Sequence, residues 1–183
     1  CNTVPEKLYN PPVVITEHEY KNVKFNVFRD DKLIGGTKQR AMIPLMLKSK
    51  KKTFVYAGPV TGYAQVAIAY GAFLTRKKAV VFLAKQKERT SLTKYSATFA
   101  PSIEIREIKD GNLKKIQEIA TAYTKETNSY QMAFGGDSPD YVKELCKSLK
   151  RALPRGLEPK RIWLVAGSAT ILKVLYKIYT NTH

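Results

Sequence analysis

Cysteine is scarce in this chain: two residues in 183, Cys1 and Cys146. Thiols so placed form neither a metal-ligand spacing nor a disulfide framework, and a reduced, intracellular compartment is expected. Histidine also occurs twice, as His18 and His183. That leaves no expected metal site and no Ser-His arrangement. No apolar run approaches the roughly 20 residues that span a bilayer, and no signal-peptide pattern is present, so no membrane partner is expected. Internal repeats and low-complexity tracts are absent as well. The first residue is Cys1, not methionine, as expected of a processed chain or a fragment. Acidic residues are the most telling shortage. Fifteen Asp and Glu face 32 Lys and Arg, a formal charge of +17. Such an excess favours a polyanionic partner, above all nucleic acid, or an anionic setting such as a virion or ribonucleoprotein.

What is present is a regular alternation of strand-like and helix-like segments. Short strands are expected at Val13–Thr16 and Phe25–Phe28, and a helix from Thr37 to about Leu47 with Pro44 inside it, a kinking residue. Thr53–Ala57, the small-residue helix Tyr63–Leu74 and Ala79–Leu83 form a βαβ unit. Then come a helix at Ser91–Phe99, a strand at Ser102–Ile108 and an amphipathic helix at Asn112–Thr127. Tyr130–Phe134 reads as a strand closed by Gly135-Gly136. A helix capped by Asp137 or Ser138 follows, with Pro139 at its start. Ile162–Ala166 reads as a final strand and Ser168–Ile178 as a final helix, with Trp163 in the core and Cys146 as packing. The fold class is α/β: a mostly parallel, twisted sheet with flanking helices. The chain reads as one compact unit over 1–183. The alternative division is into two small lobes, an inserted one at about 53–135 and a second formed by 13–52 with 136–183.

In such sheets ligands gather at the C-terminal ends of the strands. Three small-residue turns fall there: Gly35-Gly36-Thr37, Gly58 to Gly62, and Gly167-Ser168-Ala169-Thr170. The first leads into a helix bearing Lys38, with Lys32 and Arg40 nearby in sequence. A helix start and two neighbouring cations both favour the neutral amine, the form that attacks a carbonyl. The third turn opens a helix directly after a strand, where free amides and two hydroxyls suit a phosphate.

Gly35-Gly36-Thr37-Lys38-Gln39-Arg40, the turn from Gly58 into Gln65-Val66-Ala67, and Gly167-Ser168-Ala169-Thr170 together resemble the pyridoxal-phosphate enzymes of fold type II. This is the tryptophan synthase beta-like family, nearest to aminocyclopropane carboxylate deaminase and to short bacteriophage members linked to hypermodified thymine in DNA. The likeness runs from about Phe25 to Leu175, with the C-terminal part of the family pattern shortened. It implies pyridoxal 5'-phosphate as cofactor and Lys38 as Schiff-base lysine and later general base. Thr61, Gly167, Ser168, Ala169 and Thr170 would bind cofactor, while Val60, Thr61, Gly62 and Tyr63 would lie beside substrate. It departs from the family pattern at Val60-Thr61, where Ser-Asn is usual, and at Ala169, where a glycine is usual. It further implies a homodimer, lyase or deaminase chemistry on an amino acid or an amino-acid-modified base, and an infected host's cytoplasm as the setting.

A second reading needs no catalysis: an inactive relative of the fold that serves as a basic nucleic-acid-binding or structural protein. Lys50, Lys51 and Lys52, then Arg76, Lys77 and Lys78, then Arg151 and Arg155 are its expected phosphate contacts, with DNA favoured over RNA. Lys85, Lys87 and Arg89 form a further basic cluster.

Overall fold

The computed structural model describes residues 4–109, 111–165 and 167–180. Cys1, Ala166 and His183, which entered the reading above, lie outside them. Four parallel strands form the main sheet: β3 (Thr53–Ala57), β4 (Lys78–Ala84), β5 (Ile103–Ile108) and β6 (Tyr130–Gln131), in the order β5-β4-β3-β6. Strand alternation divides the core between the two faces. Phe54, Tyr56, Val81 and Leu83 join one buried cluster; Val55, Ala57, Val80 and Phe82 join the other. On the first face lies α2 (Ala64–Thr75), with α1 (Gln39–Lys48) against it, α5 (Pro139–Ala152) against α1, and α6 (Thr170–Thr180) against α5. Ala64, Ala67, Ala69, Gly71 and Ala72 let α1 and α2 approach closely; a Cβ at Gly71 would come within 2.8 Å of Met46 Sδ. On the second face α4 (Leu113–Glu126) buries Ile116 and Ala120. The short helix α3 (Ser91–Ala97) flanks α2, its start capped by the Thr90 hydroxyl. No helix of the described residues is long and apolar enough to cross a membrane.

The expected early strands are longer and pair with each other. β1 (Ile15–Tyr20) and β2 (Val23–Phe28) form a separate antiparallel hairpin, its turn residues Lys21 and Asn22 both at positive φ, as a two-residue hairpin turn requires. Pro44 does not end α1, which continues to Lys48. The strand expected at Tyr130–Phe134 is only two residues long; beyond Met132 the chain leaves the sheet and turns at Gly135 and Gly136, at φ +66° and +72°. Ser138 caps α5 by accepting from the Tyr141 N–H. The largest departure is at 162–165, which reads as a buried strand yet pairs with no strand among the described residues. Trp163 is 89% exposed there and Val165 98%.

Candidate active site

The segment Gly35–Arg40 is fixed from several sides. A Cβ on Gly35 would sit 2.8 Å from Ala67 Cα, so only glycine lets this loop rest on α2. The Gly35 N–H donates to Gln39 Oε1 (2.9 Å), and Gln39 Nε2 donates to the Tyr9 carbonyl (3.0 Å). Arg40 is almost wholly buried. It makes a two-pronged pair with Asp30 (2.8 and 3.0 Å) and donates to Asn10 Oδ1 and the Pro11 carbonyl, both at 2.7 Å. With Gln39 and Arg40 so occupied, Thr37 and Lys38 are the members of the motif that face a cavity, and Lys38 is the one that carries an amine.

Two details of the expected arrangement change. Gly36–Lys38 is a 3-10 turn with Lys38 at the N-cap position of α1, and no side chain, Thr37 included, caps that helix. Lys38 titrates below the ordinary lysine value, and the cause is burial. Neighbouring cations are not responsible; the charge of Arg40 is matched by Asp30.

Across the cavity stands the turn at Gly135. Its carbonyl accepts from both Ser168 Oγ (2.9 Å) and Thr170 Oγ1 (2.8 Å), tying the start of α6 to the end of β6. A Cβ on Gly135 would fall 2.4 Å from Ser168 Cβ. Thr37, Lys38, Gly135, Tyr141, Val165 and the run Gly167–Ile171 line a space of about 140 Å³. The predicted amine and the predicted phosphate turn therefore meet in one place. Ala169 holds φ +58°, a left-handed conformation that costs a residue with a Cβ roughly 1–2 kcal/mol. Ala169→Gly is accordingly expected to raise stability by up to about 1 kcal/mol, net of the unfolded chain's added freedom; a urea-unfolding midpoint that falls would refute this.

The turn after β3 lies outside this lining. Thr61 is exposed, and the Val60 carbonyl is occupied by Gln65 Nε2 (2.8 Å) and Thr90 Oγ1 (3.1 Å). Gln65 Nε2 also reaches the Gly62 carbonyl at 3.2 Å. Tyr63 packs over Gly36, its Cδ1 3.5 Å from where a Cβ would stand. The turn thus supports the loop that carries Lys38. Gly135 and Tyr141 are lining residues that the sequence motifs do not mark; the paired glycines after a strand are the available signal. A larger groove of about 640 Å³, between the start of α5 and Leu172 and Tyr176 of α6, has two exposed lysines in its lining, Lys173 and Lys177. Of these, Lys173 pairs with Asp137 at 2.6 Å.

No family model matches this chain, and no curated protein does. Solved structures do. A homologue of aminocyclopropane carboxylate (ACC) deaminase superposes with a TM-score of 0.74 at 15% identity, over 93% of this chain and 57% of its own. The O-acetylserine-dependent cystathionine beta-synthase of Helicobacter pylori gives 0.73 at 13% identity, over 98% and 63%. A pyridoxal 5'-phosphate-dependent aspartate racemase gives 0.71 at 13%, over 97% and 58%. The fold is tryptophan synthase beta-like. This chain spans 57–63% of the length of those proteins, and at such identities the likeness is one of fold.

The expected nucleic-acid contacts fall elsewhere. Residues 50–52 precede β3, and 76–78 lead into β4, which begins at Lys78, so both clusters sit at the N-terminal edge of a parallel sheet. Lys38 is at the opposite edge, a strand length of about 17 Å away for five residues. Arg151 and Arg155 lie at and beyond the far end of α5, about 20 Å along its axis from Ser138 for fourteen residues. Several of these cations are engaged. Lys77 Nζ donates to the carbonyls of Met46, Ser49 and Lys51 (2.5–3.0 Å), a cation closing the C-terminal end of α1. Lys51 is held by Asn128, Lys78 by Glu104 and Arg151 by Glu6. Lys50, Lys52, Arg76 and Arg155 are exposed, with no side-chain partner among the described residues. Lys85, Lys87 and Arg89, after β4, are exposed on the Lys38 edge, with Arg89 paired to Glu107.

Proposed function

We propose that this protein is a pyridoxal-phosphate-dependent enzyme of the lyase or deaminase kind, with Lys38 as the amine that holds the cofactor. The observation that carries the reading is a half-buried lysine, its pKa lowered by burial, sharing one cavity with the Ser168–Thr170 helix start. The donor set fits the group at both ends. Lys38 supplies the amine, and the amides and hydroxyls of Gly167–Thr170 suit a phosphate once Ser168 and Thr170 release the Gly135 carbonyl. Enclosed space of about 140 Å³ is less than pockets that take up a whole small molecule, typically from about 300 Å³. When bound, the cofactor supplies an electron sink for bonds to the substrate's alpha carbon; Lys38 then serves as the proton carrier.

The substrate class is an amino acid, free or carried on a nucleic-acid base. The likeness to short phage members and the +17 charge favour the second form. The test is incubation with pyridoxal phosphate, borohydride reduction and peptide mapping. A reduced adduct on Lys38 is expected; its absence after reconstitution removes the reading.

A second reading is favoured by the geometry of charge. Lys50, Lys52 and Arg76 form an exposed basic edge turned away from Lys38, a surface for phosphate backbone independent of catalysis. DNA affinity is expected to fall steeply with salt, and Lys50→Ala/Lys52→Ala/Arg76→Ala to make the log–log slope shallower by about 2–3. A slope unchanged by the triple substitution counts against that edge.

A further inference from the structure

The phenol of Tyr141 lines the same cavity as Lys38, and the mechanism above gives it no task. Tyr141 is 4% exposed; its hydroxyl makes no hydrogen bond within the described residues and keeps a little solvent contact, so it is available to a ligand. Its place is deliberately cleared: a Cβ on Gly136 would lie 2.4 Å from Tyr141 Cε1, and Gly136 is held at φ +72° by the same turn whose Gly135 carbonyl receives Ser168 and Thr170. One turn thus fixes the Ser168 and Thr170 hydroxyls and leaves room for the Tyr141 ring in the lining of the same cavity.

We propose that the Tyr141 hydroxyl is a hydrogen-bond donor to an oxygen of the ligand that Lys38 holds, one outside its phosphate group, acting as the cavity's uncharged positioning group. This rests on the reading of Lys38 given above. Burial and the neighbouring Tyr56 both raise the pKa of Tyr141, so it stays a donor across the working range. Burial likewise pushes Tyr56 to about 12. A neutral phenol beside a lysine biased toward its neutral amine presents a donor and a nucleophile without a fixed charge pair between them. Such a cavity suits a ligand bringing its own anionic oxygen.

Tyr141→Phe keeps the ring that fills the space beside Gly136 and removes only the oxygen. The dissociation constant for pyridoxal phosphate, followed by absorbance, is expected to rise about tenfold, the weight of one hydrogen bond to a charged acceptor. The dissociation constant for inorganic phosphate should stay within about twofold, because Ser168 and Thr170 are untouched. The melting temperature should hold or rise, because no internal hydrogen bond is lost. Pyridoxal phosphate binding unchanged within about twofold overturns the proposal. So does an equal weakening of phosphate, which would mean a damaged cavity, or a melting temperature several degrees lower, which would mean an internal partner. If the unsubstituted chain forms no adduct at Lys38, the reading of Lys38 fails first and this inference with it.

Discussion

Arg40→Met is expected to cost about 3–5 kcal/mol of folding stability, the range for breaking a buried ion pair from one side. The guanidinium is 1% exposed, and the Asp30 side chain that it holds is 15% exposed. Removing the arginine strands a carboxylate, the Asn10 amide oxygen and the Pro11 carbonyl together. The methylene stem is replaced well by methionine, so the loss is electrostatic more than steric. Lysine would not rescue it, since an ammonium cannot reproduce a two-pronged bond to Asp30 while reaching Asn10 and Pro11. Adding Asp30→Asn to Arg40→Met should recover more than about 1 kcal/mol, because the pair is then dissolved from both sides. Urea-unfolding midpoints for the two singles and the double measure all three terms. A loss under about 1 kcal/mol for Arg40→Met would show that the pair is not what ties the N-terminal arm to the Lys38 loop.

Lys38→Met should abolish the reducible pyridoxal-phosphate adduct entirely, and should do so in a chain at least as stable as the original. Burial lowers the lysine's pKa from its ordinary 10.5. A base with a lowered folded pKa binds fewer protons folded than unfolded between the two values, so stability rises with pH through that interval. Below it the folded chain bears the cost of a partly desolvated ammonium, and methionine relieves that cost. Melting temperatures of Lys38→Met should therefore exceed those of the original at neutral pH, and the gap should narrow as pH climbs toward 10.5. A constant gap across that range would show that Lys38 titrates as a solvated lysine. An adduct that persists in Lys38→Met would place the reactive amine elsewhere.

Much of the fold could be read because it depends on local pattern. Phe54-Val55-Tyr56-Ala57 alternates between two buried clusters as a strand covered on both faces must, and the spacing of Ile116 and Ala120 gives α4 its buried side. What escaped depends on distant approach. Arg40 reads in sequence as a cation beside Lys38, whereas its meaning comes from Asp30, ten residues back, and Asn10, thirty back. Lys77 reads as part of a basic patch but closes the end of α1 through carbonyls some 26–31 residues away. Lys38 and the Ser168 turn were legible as types; that Gly135 joins them was not, because its carbonyl acts across 33 residues of chain. At 162–165 the apolar, strand-like pattern was real and the burial did not follow, since a strand needs a neighbour as well as a sequence.

That segment gives the molecule an optical property. Trp163 is the chain's single tryptophan, and it stands in solvent two residues from Val165 at the mouth of the Lys38 cavity. Its indole emits as a hydrated fluorophore, at long wavelength and open to collisional quenchers. A ligand large enough to cover the indole as well as Val165 would dry it and move its emission to the blue, a signal that needs no dye.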